Sequence, residues 1–184
     1  MPVPTLRTRR LVLRPFVPAD APHVQQLAGD RRVADTTSTI PHPYPDGAAE
    51  EWIAGHEEAF ESGKSVTFAI TLAASGELLG AISLMSISDD HHRAEIGYWI
   101  GVPFWNQGYC TEAAAAVVAY GFQQRRLNRI TGKYFVRNGA SGRVMEKIGM
   151  VHEGCLRQYV CRWGRFEDLE VCSILQSEFR LATT

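Results

Sequence analysis

The stretch "FWNQGYCTEAAAAVVAYGF", residues 104–122, places bulky aromatic residues and two amides before a single glycine, and a long alanine-rich run follows. Alanine has the highest intrinsic helix propensity, and a glutamate in the first turn complements the partial positive charge at a helix N-terminus. Glu112 occupies such a position. The stretch therefore predicts a helix of about four turns that begins near Gly108.

The start of this helix has the layout of an anion-binding site. The first backbone N–H groups of a helix lack internal partners, and a strand that enters a helix through a glycine can wrap them around a pyrophosphate. The segment "VPFWNQGYCTEA", residues 102–113, contains that glycine, Gly108. It has neither the G-x-x-x-x-G-K-(S/T) pattern of a nucleotide P-loop nor the three glycines of a dinucleotide fingerprint. From the spacing alone, an anion site and a tight strand–helix turn both remain open.

The overall composition is that of an ordinary globular protein. Of the 184 residues, 45% are hydrophobic and 21% are charged, and the formal net charge is −1. This length predicts one domain, residues 1–184, and the near-zero charge gives no indication of nucleic acid or a membrane surface as a partner. No apolar run approaches the ~20 residues needed to cross a bilayer, and no signal peptide is recognisable, so a cytoplasmic location is expected.

Neither the cysteines nor the histidines have the spacing of a metal site. Cys110, Cys155, Cys161 and Cys172 form no C-x-x-C pair, and the last three, in strand-like segments, are predicted to be buried free thiols. The segment "DDHH", residues 89–92, places neighbouring side chains on opposite faces of an extended chain. A solvated turn is therefore expected there, and no metal is predicted.

The hydrophobic pattern alternates between the periods of helices and strands, which predicts an α+β fold around one mixed sheet. The predicted order is strand, two helices, three strands, helix, strand, helix, two strands. The first two helices are expected to begin at Asp20 and Asp46, and Gly63 ends the second. Strands are expected at residues 9–16, 66–70, 77–87, 93–102 and 129–136, the last helix within 138–149, and a final hairpin turning at Trp163–Gly164.

The stretch around Gly108 resembles motif A of the GNAT superfamily of N-acetyltransferases, (Q/R)-x-x-G-x-(G/A), whose backbone amides hold the pyrophosphate of acetyl-CoA. Trp105 stands where that family usually has Gln or Arg, and Cys110 where it has Gly or Ala. The version "W-x-Q-G-Y-x-T-E-A" is similar to that of the RimJ/RimL-type subgroup, which acetylates protein N-terminal amines. The resemblance extends over nearly the whole chain, through "TLRTRRLVLRPF", "AEIGYWI", "N-x-x-S-x-x-V-x-E-K-I-G-M" and "EGCLRQYV…WGRFED". It implies a GNAT acyl-CoA fold with a central mixed, mostly antiparallel sheet flanked by helices.

The resemblance also implies a cofactor site for acetyl-CoA. Asn138 would hold the pantetheine arm, and Ser141 would lie near the sulfur and donate a proton to the leaving thiolate. Asn and Ser near a helix start are also ordinary helix caps, so this simpler role stays open. The full set of expected cofactor residues is Ile100, Val102, Trp105, Asn106, Gln107, Gly108, Tyr109, Cys110, Thr111, Asn138 and Ser141.

Glu95 is the candidate general base. Strand alternation along "AEIGYWIG" places Glu95 on one face together with Gly97 and Gly101, and two glycines beside a carboxylate leave space for a ligand to approach the backbone. The alternative is a solvated carboxylate at the strand's beginning, next to Arg93.

The chemistry of acetyl transfer favours an N-terminal acceptor. Transfer needs a neutral amine, and at pH 7 an α-amine of pKa about 7.8 is about 14% neutral, whereas a lysine amine is only about 0.04% neutral. A modest base is therefore sufficient for a peptide or protein N-terminus, with direct transfer in a ternary complex. The alternatives are a small amine such as a polyamine, an aminoglycoside or an amino acid, and a non-catalytic acyl-CoA-binding module.

Two further residues are candidates for the acceptor site. Tyr44, in the loop "PHPYP" at residues 41–45, would form an aromatic wall, and Asp168 would attract a cationic acceptor. A stiff connector and a surface carboxylate are the respective alternatives. A homodimer is compatible with the composition, although no residue pattern specifies one.

Overall fold

The computed structural model describes residues 3–180 and contains one eight-stranded sheet. The strands are β1 (Leu6–Arg7), β2 (Leu11–Arg14), β3 (Val66–Leu72), β4 (Leu78–Ser88), β5 (Arg93–Ile100), β6 (Arg129–Phe135), β7 (Val151–Arg162) and β8 (Arg165–Leu175). Their order in the sheet is β1-β2-β3-β4-β5-β6-β8-β7, and every neighbouring pair is antiparallel except β5–β6. This confirms the predicted mixed, mostly antiparallel sheet.

In the described part of the chain, five α-helices connect the strands in the predicted order, with a short β1 and a short α2 in addition. They are α1 (Ala21–Ala28), α2 (Arg31–Ala34), α3 (Ala48–Glu61), α4 (Tyr109–Gln123) and α5 (Gly139–Lys147), and 3-10 turns lie at Pro18–Asp20 and Val102–Phe104. The hairpin turns at Trp163–Gly164, as expected. The prediction that Asp46 caps α3 is wrong. The N-cap is Gly47, at φ 80°, and the Asp46 carboxylate instead accepts a hydrogen bond from Gln25.

The two faces of the sheet carry different helices. On one face the central strands pack against α4 and α5 in the main core, which includes Phe68, Ile96 and Val117. On the other face, Ala69 packs with residues of α1 and α3 in a smaller cluster. Helix α4 lies close to the sheet at Gly121, where a Cβ would come within 2.8 Å of Ile130.

The sheet opens between its two parallel strands. The β5–β6 ladder runs from Arg93↔Arg129 to Ile96↔Gly132, whereas β6 continues to pair with β8 as far as Phe135↔Leu169. Within residues 3–180, the ends of β5 and β6 beyond these pairs are therefore separated. This opening, called the β5–β6 gap below, positions the candidate active site.

The cysteines depart in part from the expectation of burial. Cys172 is buried on β8, but Cys155 and Cys161 are exposed, because β7 is the outermost strand and one of its faces is uncovered. Across residues 3–180 no three His, Cys, Asp or Glu side chains are grouped as metal ligands would be. In the same part of the chain, every helix is too short or too polar to span a bilayer.

Candidate active site

The N-terminus of α4 is shaped by backbone conformation rather than by a capping side chain. Gly108 is the N-cap residue and adopts φ 78°, in the left-handed region, and no side chain hydrogen-bonds to the cap. Asn106 also has a positive φ, of 60°. The chain therefore turns sharply into α4 and leaves the first backbone N–H groups of the helix for a ligand.

An arginine from the start of the sheet lies against this turn. A Cβ at Gly108 would be 3.4 Å from Nη2 of Arg10. The Arg10 guanidinium donates to the Glu112 carboxylate at 2.7 Å and to the Gln107 carbonyl at 3.0 Å. Burial opposes ionisation of Glu112, but hydrogen bonds from Thr8 and Arg10 outweigh it, so the pKa of that carboxyl lies below its usual range. Glu112 thus holds the Arg10 guanidinium beside the helix start, where its positive charge adds to that of the free backbone N–H groups.

A cavity of about 300 Å³ extends from this helix start into the β5–β6 gap. Nine of the eleven expected cofactor residues line it: Ile100, Trp105, Asn106, Gly108, Tyr109, Cys110, Thr111, Asn138 and Ser141. Val102 and Gln107 do not line it. Val102 belongs to the preceding 3-10 turn, and the Gln107 side chain donates to the Pro103 carbonyl.

The cavity reaches both faces of the sheet. Tyr98 and Ile100 pack on the side of the main core, whereas Trp99 packs on the side of α1 and α3, and all three line the cavity. Val33 and Thr36, in and just after α2, line it as well. A molecule bound along α4 and α5 is thereby accessible, through the gap, to a second molecule on the side of α1 and α3.

Two hydroxyl groups lie at the gap. The Tyr98 hydroxyl donates to the Ser141 backbone carbonyl at 3.1 Å, and the Ser141 hydroxyl accepts a hydrogen bond from the Asn138 side chain at 3.0 Å. Burial, with a smaller effect from the nearby thiol of Cys110, raises the pKa of Tyr98, so this phenol is protonated at neutral pH. Asn138 is also the N-cap of α5, so the same side chain caps a helix and lines the cavity.

The two departures from motif A have visible structural roles. The Trp105 indole donates to the Ile100 carbonyl at 2.6 Å, which ties the loop before α4 to the end of β5. Burial raises the pKa of the Cys110 thiol to about 12, so Cys110 is a neutral small side chain in the cavity wall.

Glu95 lies outside the cavity lining and has a charged partner. Its carboxylate accepts a hydrogen bond at 2.6 Å from Lys133 on β6. The expected open space beside it is absent, because a Cβ at Gly97 would meet Met85 at 2.6 Å and one at Gly101 would meet Leu27 at 2.6 Å. Side chains of the sheet and of α1 occupy that space.

The candidate acceptor residues are already engaged. Tyr44 packs against the smaller cluster with Val24 and Ala28 of α1. One oxygen of Asp168 accepts the backbone N–H of Gln158 at 2.7 Å, at an irregular part of the β7–β8 ladder. Neither residue lines the cavity.

The segment that follows α2 is held beside the cavity by side chains from the C-terminal part of the chain. Arg137 donates to the Asp35 carboxylate at 2.9 Å, and Arg162 donates to the backbone carbonyls of Ala34 and Ile40. Asn138 also approaches the Thr36 carbonyl, at 3.4 Å. The segment 34–40 is therefore fixed by three side chains that sequence reasoning did not connect with it.

Sequence reasoning missed several residues of the site. Tyr98, Arg143 and Lys147 line the cavity, and Arg10 lies beside Gly108. Alternation along β5 places Tyr98 on the face opposite Glu95. This pattern is the sequence signal that could have identified Tyr98 as a residue of the cofactor side. Arg143 and Lys147 are four residues apart and so share a helix face.

Solved structures of related proteins share this fold. An acetyltransferase of the GNAT family from Bacillus anthracis superposes with a TM-score of 0.85 at 27% identity and covers 95% of this chain and 100% of its own. RimL, a ribosomal-protein α-N-acetyltransferase in complex with coenzyme A, gives 0.86 at 20% identity over 94% of this chain and 98% of its own. Spermidine N-acetyltransferase from Vibrio cholerae, in complex with CoA and spermine, gives 0.80 at 23% identity, covering 93% and 98%.

Sequence comparison gives the same family. The uncharacterized N-acetyltransferase YoaA of Bacillus subtilis is 31% identical over 173 residues, 94% of this chain and 97% of its own. The ribosomal protein uS5 alanine N-acetyltransferase of Escherichia coli is 24% identical over 177 residues, 91% of this chain and 89% of its own. The family described as "Acetyltransferase (GNAT) domain" matches residues 10–151. The chain therefore belongs to the GNAT family and is an acetyltransferase.

Proposed function

We propose that this enzyme transfers the acetyl group of acetyl-CoA to the α-amine of a peptide or protein N-terminus, in the cytoplasm, by direct attack within a ternary complex. The observation that carries the proposal is the cavity that passes through the β5–β6 gap and is lined from both faces of the sheet. Acetyl-CoA would lie along α4 and α5, and the acceptor amine would approach from the side of α1 and α3.

The cofactor half of the site has the charges that a diphosphate requires. The free N–H groups at the start of α4 and Nη2 of Arg10 face the same turn. Arg143 and Lys147 add two cations to the wall formed by α5. Phosphate groups favour both backbone N–H groups and guanidinium partners, so these groups suit the pyrophosphate and the further phosphate of CoA.

The geometry supports Ser141 as the proton donor to the sulfur. In the reaction the amine nitrogen attacks the thioester carbonyl carbon, the C–N bond forms, and the C–S bond breaks to release a thiolate that must gain a proton. The Ser141 hydroxyl accepts from Asn138, which leaves its own proton available, because a hydroxyl has one donor and two acceptor positions. The Tyr98 proton is already donated to the Ser141 carbonyl.

Glu95 is proposed to accept the proton that the amine loses. It lies on the face of the sheet opposite Tyr98, which is the acceptor side in this arrangement. An α-amine is about 14% neutral at pH 7, so the proton transfer that it needs is modest. A water molecule between Glu95 and the amine would suffice for it.

A specific observation favours a peptide over a polyamine as acceptor. The cavity lining contains no carboxylate, and three carboxylates close to it are paired with cations: Glu95 with Lys133, Asp35 with Arg137 and Glu112 with Arg10. A site for a polycation would need an excess of negative charge, since each ammonium must find a partner. The similarity to the Escherichia coli uS5 alanine N-acetyltransferase, over 91% of this chain, points in the same direction. A small amine remains the second candidate because the fold is shared with spermidine N-acetyltransferase.

Product analysis tests the proposal directly. Short peptides with a free N-terminus, the same peptides with a blocked N-terminus, and spermidine are each incubated with enzyme and acetyl-CoA. We expect thiol release and one added acetyl group, located at the α-amine by mass spectrometry, only for the free peptides. Acetylation of the blocked peptides, or of spermidine alone, would contradict the proposed acceptor.

A further inference from the structure

Lys133 stands at the mouth of the β5–β6 gap on the acceptor side. The last β5–β6 pair is Ile96↔Gly132, so Lys133 is the first residue of β6 beyond the ladder. It points to the same face as Glu95, whose carboxylate lies 2.6 Å from its Nζ atom. The ammonium group also lies 5.8 Å from the ring centroid of Tyr159 on β7. A cation is thus held at the point where an acceptor would enter.

The pair between Lys133 and Glu95 is accessible to an acceptor. The two side chains are 26% and 30% exposed, so water screens their attraction and the pair contributes little to fold stability. A second ion pair on the same strand, Arg129–Glu153, lies at the opposite end of β6. Of these two pairs, only Lys133–Glu95 lies at the end of the β5–β6 ladder, beside the gap.

An acceptor amine that pairs with Glu95 comes close to Lys133, because both cations then lie at one carboxylate. Nζ of Lys133 bonds Oε2 of that carboxylate, so an incoming ammonium group either shares the carboxylate with Lys133 or displaces it. In either case two positive charges meet at one negative charge, and a second anion would balance them. An acceptor with a carboxylate near its amine supplies that anion and leaves the charge of the site balanced. A polycation supplies only further positive charge.

We propose that Lys133 is a specificity-determining residue that binds a carboxylate of the acceptor, so that the enzyme prefers N-termini followed by an acidic residue. The inference rests on the proposed function in one respect, that the acceptor lies on the Glu95 side of the gap. The chemical class of acceptor is therefore an acidic peptide, whose amine pairs with Glu95 and whose carboxylate pairs with Lys133.

A pair of peptides that differ only at the second position, glutamate against glutamine, tests the role of the lysine. We expect the wild-type enzyme to favour the glutamate peptide about tenfold in kcat/KM, mainly through KM, which corresponds to one hydrogen bond between charged groups. Lys133→Arg should retain the preference. Lys133→Met, which keeps an unbranched apolar stem and removes the charged end, should reduce it to less than twofold. Arg129→Met removes a cation from the far end of β6 and should leave the preference unchanged.

The results separate the inference from the proposed function. A tenfold preference that persists in Lys133→Met, or a wild-type enzyme that does not distinguish the two peptides, overturns the role of Lys133. Melting curves of the variants show whether each one is folded. If the wild type acetylates small amines but no peptide, the proposed acceptor class fails, and an amino acid compared with its amide then decides the role of Lys133. No transfer to any of these acceptors overturns both.

Discussion

Replacing Gly108 with alanine should weaken cofactor binding while the fold is kept, and the chain provides a matched control. Gly108 and Gly47 are both N-cap residues that precede long helices, α4 and α3, and their φ angles are 78° and 80°. A Cβ at Gly47 would have no heavy atom within 4 Å, and Gly47 does not line the cavity. Gly47→Ala therefore measures the backbone cost alone, and Gly108→Ala measures the same cost together with any effect on the anion site.

The expected magnitudes follow from the backbone and from ligand linkage. An alanine in the left-handed region costs about 1–2 kcal/mol, which lowers the Tm of a protein of this size by about 2–8 °C. Acetyl-CoA at 100 times its Kd should stabilise the wild type by about 2.7 kcal/mol, or about 5–11 °C. If the added methyl group, 3.4 Å from Arg10, weakens binding about 100-fold, the same concentration adds only about 0.4 kcal/mol, or about 1 °C.

Thermal unfolding with and without acetyl-CoA, at one fixed ligand concentration, measures both effects. We expect both variants to start from a similar lowered Tm, with Gly47→Ala showing the full ligand shift and Gly108→Ala showing at most about 1 °C. A shift in Gly108→Ala equal to that in Gly47→Ala would place the cofactor away from the start of α4. That result would refute the reasoning from the turn.

The order and type of the elements could be predicted because the signals are local. Alternation predicts strands such as β3 and β5, and the alanine-rich run predicts α4 with its boundary at Gly108. The failure at Asp46 comes from a tertiary contact. At Asp46 the carboxylate bonds to Gln25 on another helix, and Gly47 provides the positive φ. A polar side chain near a helix start caps that helix only if it is not hydrogen-bonded to another part of the fold.

The site could be predicted only where one segment contains it. The residues around Gly108 and Asn138 follow from short motifs, but Arg10 reaches its partner Glu112 across 102 positions, and Lys133 reaches Glu95 across 38. Sheet order determines both contacts, and sheet order depends on pairings between distant parts of the chain. The β5–β6 gap could not be predicted from a local sequence pattern for the same reason, because it begins where the pairing between β5 and β6 ends.

Two further predictions concern the base and the pH dependence of stability. Glu95→Gln should lower kcat about 10²–10⁴-fold with little change in acetyl-CoA affinity, and a fall of less than threefold would remove Glu95 from the mechanism. His56 lies against Phe16 and Trp52, and both of its ring nitrogens are buried without a hydrogen-bond partner. Burial lowers its pKa from 6.5 to about 4, so between these pH values the unfolded chain binds a proton that the folded protein does not. The free energy of unfolding should therefore fall as the pH is lowered from 6.5 to about 4, by up to about 3 kcal/mol from this residue, since one pH unit corresponds to about 1.4 kcal/mol. Urea unfolding at several pH values measures the fall in the free energy of unfolding. Comparison with His56→Leu subtracts the contribution of carboxylates that titrate in the same pH range. The difference between the two proteins in the slope of stability against pH isolates the histidine. Equal slopes in the two proteins would show that His56 titrates alike in both states, and that its burial has no energetic consequence.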